Sequence, residues 1–417
     1  MADTTFRPTD ADLSKCVRCG LCLQSCPTYV ETKLETEGPR GRLYLMRALA
    51  DDIVALTPNA IGHLDMCLQC RNCEAVCPSG VPYGRVMEET RARVLHSGKA
   101  PASWRLRSLF LQQVIAKPGR MRAFASALRL ARASGALSVA ERLPVVGRRA
   151  ALAPRVSGKP FTRWGTLATP EGVARARVGL LTGCIMPYTN PSVHRATVAV
   201  LARNGCEVIA PPAQVCCGAL HGHNGDLAVA RDLAKRNVDA FLEAGVDAVV
   251  INSAGCGAAM KEYGDLLHGD PAYAEKAARF SASVRDVSEF LVELPFEAPS
   301  RSLDATVTYQ DSCHLAHAQR VTAPPRAILK AIPGLRFTEM EQPDRCCGSA
   351  GVYSLTQPEM SLVLLDGKMA DIAATGADYI ATSNPGCIAQ IEAGCRRAGV
   401  QAKVVHVVEL LARSYKG

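Results

Sequence analysis

Residues 16–27 read Cys-Val-Arg-Cys-Gly-Leu-Cys-Leu-Gln-Ser-Cys-Pro, and residues 67–78 read Cys-Leu-Gln-Cys-Arg-Asn-Cys-Glu-Ala-Val-Cys-Pro. Both follow C-x2-C-x2-C-x3-C-P. Two intervening residues let consecutive thiolates curl round one corner of an iron-sulfur cube, and the proline stops a helix from running back over it. In this spacing three close thiolates hold one [4Fe-4S] cluster and the fourth reaches across to a second. Cys16, Cys19, Cys22 and Cys77 are therefore expected to hold one cluster, and Cys67, Cys70, Cys73 and Cys26 its neighbour. Zinc would instead close on two Cys-x2-4-Cys pairs.

The spacing is that of bacterial ferredoxins, and the rest of the composition agrees with a redox protein. Met1 to Asp10 carries Asp3 and Asp10 and no apolar run, so no signal peptide is expected. No stretch reaches the roughly eighteen apolar residues of a membrane span. The expectation is a soluble or peripheral protein, cytoplasmic and on the cytoplasmic face of the inner membrane. Eighteen cysteines in such a compartment are metal ligands rather than disulfides. The formal charge of +9 counts every cysteine as neutral, and each cluster core of about −2 moves the total toward zero, so nucleic acid is not an expected partner.

Between the cysteine sets, Gly41 to Ala55 has helical character and follows the cationic turn Gly38-Pro39-Arg40-Gly41-Arg42. Arg40 and Arg42 read either as cations beside the cluster thiolates or as solvated residues at a helix start. Residues 91–165 hold sixteen Lys and Arg, among them Arg105, Arg107, Arg120, Arg122, Arg129, Arg132, Arg148 and Arg149, against the single acid Glu141. Their local balance of +15 leaves −6 for the rest of the chain. Leu106, Leu109, Phe110 and Val114, then Met121, Phe124, Leu128 and Ala131, recur there at helical spacing. Basic amphipathic helices of this kind lie on an anionic membrane surface, dock on an acidic partner, or simply connect domains.

From about Ala176 the chain alternates β-branched runs with helical stretches, and it does so twice. Cys184, Cys216, Cys217 and Cys256 recur as Cys313, Cys346, Cys347 and Cys387, at offsets of 129, 130, 130 and 131 residues. Four matched offsets indicate internal duplication. Each set comes from loops at the ends of predicted parallel strands, where open α/β sheets place their ligand crevices. Adjacent cysteines serve different irons of a cluster better than they chelate one small ion, so these eight are candidate metal ligands too. His314 reads as a cluster-tuning or proton-carrying group, or as a surface or capping residue. Cys206 and Cys395 have no counterparts at the offset and read as buried small hydrophobes.

The fold class expected is a mixed α+β and α/β multidomain chain. Its parts are an α-helical ferredoxin-like domain for two [4Fe-4S] clusters at 1–95 with a helical insertion, a basic helical connector at 96–170, and duplicated α/β repeats at 171–300 and 301–417.

The two sets built round Cys216-Cys217-Gly218 and Cys346-Cys347-Gly348 resemble the CCG domain. That domain is found in pairs in heterodisulfide reductases and in iron-sulfur subunits of 2-hydroxy-acid and glycerol-3-phosphate oxidising complexes. The whole layout, with Gly38 to Arg42 and Cys346-Cys347-Gly348-Ser349-Ala350-Gly351, most resembles the iron-sulfur subunits of glycolate oxidases. The heterodisulfide reductase version ends in C-x2-C, whereas here Cys256 is followed by Gly257, Ala258 and Ala259, and Cys387 by Ile388, Ala389 and Gln390. Four thiolates per repeat still suffice for an ordinary cubane, so one or two further [4Fe-4S] clusters are expected in this half.

A dinucleotide fingerprint is missing, because Gly255-Cys256-Gly257 leads to Met260 where the third glycine belongs. No flavin or NAD is expected on this chain, and iron-sulfur clusters move single electrons. The resemblance implies FAD-binding oxidase subunits as partners, glycolate as the compound they oxidise, and a membrane quinone as acceptor. The alternatives are the same role in a D-lactate, other 2-hydroxy-acid or glycerol-3-phosphate dehydrogenase complex, or a CCG-type disulfide reductase.

Overall fold

The β-branched runs of the second half assemble into two largely parallel sheets, each with helices on its faces. The computed structural model describes residues 6–143, 147, 150, 152, 156, 158–170 and 173–415. Arg148 and Arg149 fall outside them. The first sheet contains β1 (Gly165–Ala168), β2 (Ala176–Leu180), β3 (Cys206–Ala210), β4 (Ala248–Ile251) and β5 (Val284–Asp286), in the order β1-β3-β2-β4-β5. The second contains β6 (Ala305–Tyr309), β7 (Leu335–Phe337), β8 (Tyr379–Thr382) and β9 (Lys403–His406), in the order β7-β6-β8-β9. All neighbours pair in parallel except β1, which runs antiparallel to β3. Without β1 the two orders are the same, so the duplication extends to topology.

Central strands buried on both faces need continuous apolar runs, and β4 with Ala-Val-Val-Ile is fully buried. Cys206 starts β3 inside this core, and Cys395 is buried in the core of the second repeat.

The repeats pack by exchange. The first long helix of repeat one, Pro191–Arg203, lies on the last helix of repeat two, Val407–Tyr415. Reciprocally, Val287–Glu293 at the end of repeat one lies on Ala323–Ala331 at the start of repeat two. Leu201, Leu291, Leu329 and Leu410 meet in one shared core, all essentially inaccessible to solvent. Each such side chain contributes about 1.5–3 kcal/mol by leaving water. This pseudo-twofold arrangement turns the strand ends that carry the cysteines toward one another.

The N-terminal unit is helical: Asp10–Ser14, Pro27–Thr32, Pro39–Ala50, Pro58–Asp65 and Tyr83–His96 surround a core of Met46, Leu49, Leu64, Val86 and Met87. Proline opens the second, third and fourth of these helices, where its missing N–H costs nothing. Thr57 caps the fourth, accepting from the Ala60 amide at 3.2 Å. The helix expected at Gly41 to Ala55 instead starts at Pro39 and stops at Ala50, and a turn separates it from the next.

In the connector, Ala102–Phe110 continues through one π turn at Leu111–Ile115, and Pro118–Ala133 follows. Its buried side is Trp104, Leu111, Ile115, Met121 and Ala125. Part of the apolar stripe read in the sequence points outward, with Leu106 68% and Leu109 53% exposed, while Met121 of the same stripe is buried. Trp104 and the π turn rotate the packed side away from Leu106 and Leu109.

The glycine of each Cys-Cys-Gly takes a left-handed conformation, with φ +81° at Gly218 and +83° at Gly348. A Cβ at 348 would stand 2.5 Å from the Ser361 carbonyl oxygen, and at 218 it would stand 3.3 Å from Ala230 Cα. Gly218→Ala is expected to cost about the 1–2 kcal/mol of a left-handed L-residue. Gly348→Ala is expected to cost more, because it adds a backbone clash. Denaturant unfolding of the two cluster-loaded variants checks the order.

Candidate functional site

In the N-terminal unit the same backbone device occurs in both cysteine sets. Arg18 and Gln69, each two residues after the first cysteine, have φ of +60° and +53°. Gly20 and Arg71, each one residue after the second cysteine, have φ of +82° and +63°. These left-handed positions bend the chain so that successive thiols face a common point. Burial pushes the Cys22 thiol up to about 11, reinforced by the neighbouring thiols of Cys16, Cys77 and Cys19. Cys73 is pushed well up by burial and then by Cys70, Cys67 and Cys26. The structure therefore gathers Cys16, Cys19, Cys22 and Cys77 in one group, and Cys67, Cys70, Cys73 and Cys26 in another.

The two cations of the turn have different surroundings. Arg40 is partly exposed, pairs with Glu35 at 2.7 Å and neighbours Cys22. Arg42 is only 1% exposed. Its guanidinium donates to the His63 carbonyl at 2.8 Å, to Thr28 Oγ1 at 3.0 Å and to Glu37 at 2.5 Å. Thr28 Oγ1 lies 3.3 Å from Cys26 Sγ, and Cys67 and Cys26 are close enough to favour the Arg42 charge.

Both repeats present their cysteines at the C-terminal ends of the parallel strands. Cys184 and Cys313 lie in the loops after β2 and β6, while Cys256 and Cys387 sit in the first turns of Ala254–Lys261 and Pro385–Ala398. Cys184 Sγ is 3.4 Å from Cys216 Sγ, and Cys313 Sγ is 4.0 Å from Cys346 Sγ. Cys217 likewise contacts Cys256, and Cys347 contacts Cys387. Each repeat thus holds two pairs of touching thiols joined by the Cys-Cys peptide. Backbone and amide donors reach them: Gly348 N–H points to Cys346 Sγ at 3.4 Å and Asn384 Nδ2 to Cys387 Sγ at 3.5 Å. Such N–H to sulfur contacts stabilise thiolate ligands and raise a cluster's potential.

A donor set of four thiols with no acidic side chain among them fits an iron-sulfur cluster, which spreads one thiolate over each iron. Among the described residues no three His, Cys, Asp or Glu converge closely enough to hold a single metal ion.

The N-terminal unit is docked on both repeats. Cys70 lies close to Cys346, which after burial is the foremost influence pushing its thiol up, ahead of Cys26 and Cys67. Leu68, Cys346 and Tyr353 pack together with Cys70 and Cys313, and the Tyr353 hydroxyl donates to the Met66 carbonyl at 3.1 Å. Arg71 pairs with Glu262, and Arg91 donates to the His223 carbonyl at 2.8 Å and the Cys67 carbonyl at 2.9 Å. His314, next to Cys313, bonds through Nε2 to the Gln69 carbonyl at 2.9 Å, so its ring bridges the two halves.

A cavity of about 380 Å³ is lined by all eight cysteines of the repeats together with Cys70, His223 and His314. Two histidines that no motif singles out lie near the sets, His221 near Cys216 and His317 near Cys346. The duplication offset does not point to them either, since His221 aligns with Gly351 and His317 with Tyr188.

The cysteine-rich domain model matches residues 178–261 and again 307–392, and the 4Fe-4S dicluster domain model matches residues 12–81. A probable glycolate oxidase iron-sulfur subunit of Bacillus subtilis is 40% identical over 97% of this chain and 94% of its own length. The glycolate oxidase iron-sulfur subunit of Escherichia coli is 33% identical over 97% and 95%. The chain belongs to this family. One subunit of the CoM/CoB fumarate reductase of Methanothermobacter marburgensis is 30% identical over 97% of the chain and 72% of its own length. A crystal structure of a hypothetical protein from Helicobacter pylori superposes with a TM-score of 0.58 over 98% of this chain and 73% of that one at 10% identity, which is a likeness of fold. Like the other iron-sulfur subunits of the family, the chain carries 4Fe-4S clusters.

Replacing Arg42 by Met leaves buried Glu37 with His63 Nδ1, 2.5 Å from Oε1, as its remaining side-chain partner, a change expected to cost about 3 kcal/mol. It also removes a positive charge beside Cys26 and Cys67, so one cluster should become harder to reduce. Arg42→Lys keeps the charge and loses the fork of hydrogen bonds, so it should recover the potential better than the stability. Redox titration followed by electron paramagnetic resonance, beside denaturant unfolding, separates the two effects.

Proposed function

We propose that this chain is the electron-transfer subunit of a complex in which a partner FAD subunit oxidises glycolate and a membrane quinone accepts the electrons. The observation that carries this reading is the closeness of Cys70 to Cys346. It joins the ferredoxin thiols to the repeat thiols in one succession through the interior. Within that reading Cys16, Cys19, Cys22 and Cys77 hold one [4Fe-4S] cluster, and Cys67, Cys70, Cys73 and Cys26 hold the second. Each repeat supplies four cysteines for a further cluster: Cys184, Cys216, Cys217 and Cys256, then Cys313, Cys346, Cys347 and Cys387. When bound, such clusters accept and release one electron at a time.

The chain's own residues keep water from the thiols, donate N–H groups to sulfur, and hold Arg42 against the second group. The working division is a ferredoxin-like unit to about residue 95, a connector to 170, and repeats parting near 300. Another 2-hydroxy acid is the second reading for the fuel, favoured by Lactate utilization protein A of Geobacillus kaustophilus, 33% identical over 56% of this chain.

No helix among the described residues is long and apolar enough to cross a membrane. Membrane contact in this reading is peripheral and falls to the connector, where Leu106, Leu109 and Leu130 are exposed among arginines.

Iron and acid-labile sulfide on anaerobically purified chain should reach about twelve to sixteen per molecule; about eight would confine clusters to the ferredoxin unit and end the proposed succession. Changing Arg105 and Arg122 to Glu should move the complex from the membrane fraction to the soluble fraction with its iron retained. Unaltered fractionation would remove the connector from that role.

A further inference from the structure

The cavity between the repeats reaches well beyond the cysteines. Its far wall is the connector, which contributes Phe110, Leu111, Met121, Phe124 and Leu128. Among the described residues no Lys, Arg, Asp or Glu lines it, in a chain that is 21% charged and whose connector is the most basic segment. An anionic substrate, such as a carboxylate, would find no cation to hold it. The whole cavity measures about 380 Å³ and includes the room that the repeat clusters take at its cysteine floor; the part left between those cysteines and the connector wall selects a small, uncharged, largely apolar group.

The entrance has a matching character. Phe110 and Phe124 meet edge to face with ring centroids 5.4 Å apart, and they are 36% and 40% exposed while also lining the cavity. They stand between the interior and the surface that bears Leu106, Leu109 and Leu130. A molecule leaving an apolar phase would meet this aromatic pair first.

The inner wall carries a route for protons. His223 lines the cavity, and its Nδ1 is 2.6 Å from Glu88 Oε1, while its Nε2 is buried with no protein partner. Glu88 is about a quarter exposed and so connects the pair to solvent. The His223 ring also meets the His314 ring edge to face at 5.1 Å, which fixes its orientation.

We propose that this compartment, behind the Phe110–Phe124 pair and above the repeat cysteines, binds a quinone-class acceptor that is reduced there, with His223 and Glu88 supplying protons. The proposal rests on the electron-transfer reading above and adds the site of acceptor reduction. The quinone gains two electrons and two protons and becomes the quinol. The electrons arrive singly from the iron-sulfur clusters of this chain, which the partner flavin re-reduces as it oxidises the 2-hydroxy acid. Each proton enters from solvent at Glu88 and crosses to the quinone oxygen through His223.

The test uses the complete complex in detergent, with decylubiquinone as acceptor and a soluble dye reduced at the flavin as the reference. Phe124→Glu places a charge at the entrance and should raise the KM for decylubiquinone at least tenfold. Phe124→Trp, which keeps the apolar surface and narrows the entrance, should raise it severalfold and serves if the glutamate variant loses iron. His223→Gln should lower kcat for quinone at least tenfold with KM within twofold, a split that a merely structural defect does not produce. A quinone-analogue inhibitor should perturb the resonance spectrum of a reduced cluster in the native complex and not in Phe124→Glu. Native KM and kcat in variants that retain twelve or more irons would overturn the site and leave the electron-transfer reading standing. A native chain with only about eight irons would instead overturn that reading itself. Reduction of oxidised dithiothreitol without reduction of decylubiquinone would replace the proposal with disulfide chemistry.

Discussion

Sixteen of the eighteen cysteines are gathered into four groups, with Cys19 alone among them exposed, and burial makes the thiolates of Cys22, Cys70 and Cys73 unfavourable. Every other feature of the molecule can be related to that constraint. Metal binding deprotonates a thiol outright, and the surrounding protein can then stabilise the resulting charge. The left-handed residues between the ferredoxin cysteines, the amides aimed at Cys346 and Cys387, and the buried Arg42 all serve this end. The −6 balance outside residues 91–165 shows that general positive charge does not. Stabilisation is local and geometric.

The exchange of first and last helices between the repeats is the second determinant. A single repeat presents its cysteines at one edge of an open sheet, half exposed to solvent. Two repeats related by a pseudo-twofold place those edges face to face, and the ferredoxin unit and the connector close the remaining sides. The resulting interior is largely apolar, and its lining includes the partly exposed Phe110–Phe124 pair. The same arrangement explains why Glu262, Arg71, Arg91 and His223 are engaged in inter-unit contacts: a shift of a few ångströms between units would break the succession from Cys70 to Cys346.

The central strands β2, β4, β6 and β8 were legible as short β-branched runs, of which β4 alone is apolar and buried throughout. The strands β5 and β7 were not, since Val-Arg-Asp and Leu-Arg-Phe are three residues long and carry no period. β1 owes its strand character to pairing with β3 rather than to its own Gly-Thr-Leu-Ala. In the connector the helices were readable from their period, but that Trp104, Leu111 and Ile115 form its buried side was not.

The sequence by itself determined which cysteines lie together, since their spacing and the duplication offsets are covalent facts that survive any arrangement of the units. It also determined the helical and sheet halves, through period and apolar runs. Only the tertiary structure decided that the second repeat, and not the first, abuts Cys70, that Arg42 rather than Arg40 is buried beside thiols, and that His221, His223 and His317 reach the cysteine groups. Those relations join residues tens to hundreds of positions apart, and they are set by how the units pack against one another, for which local sequence carries no signal.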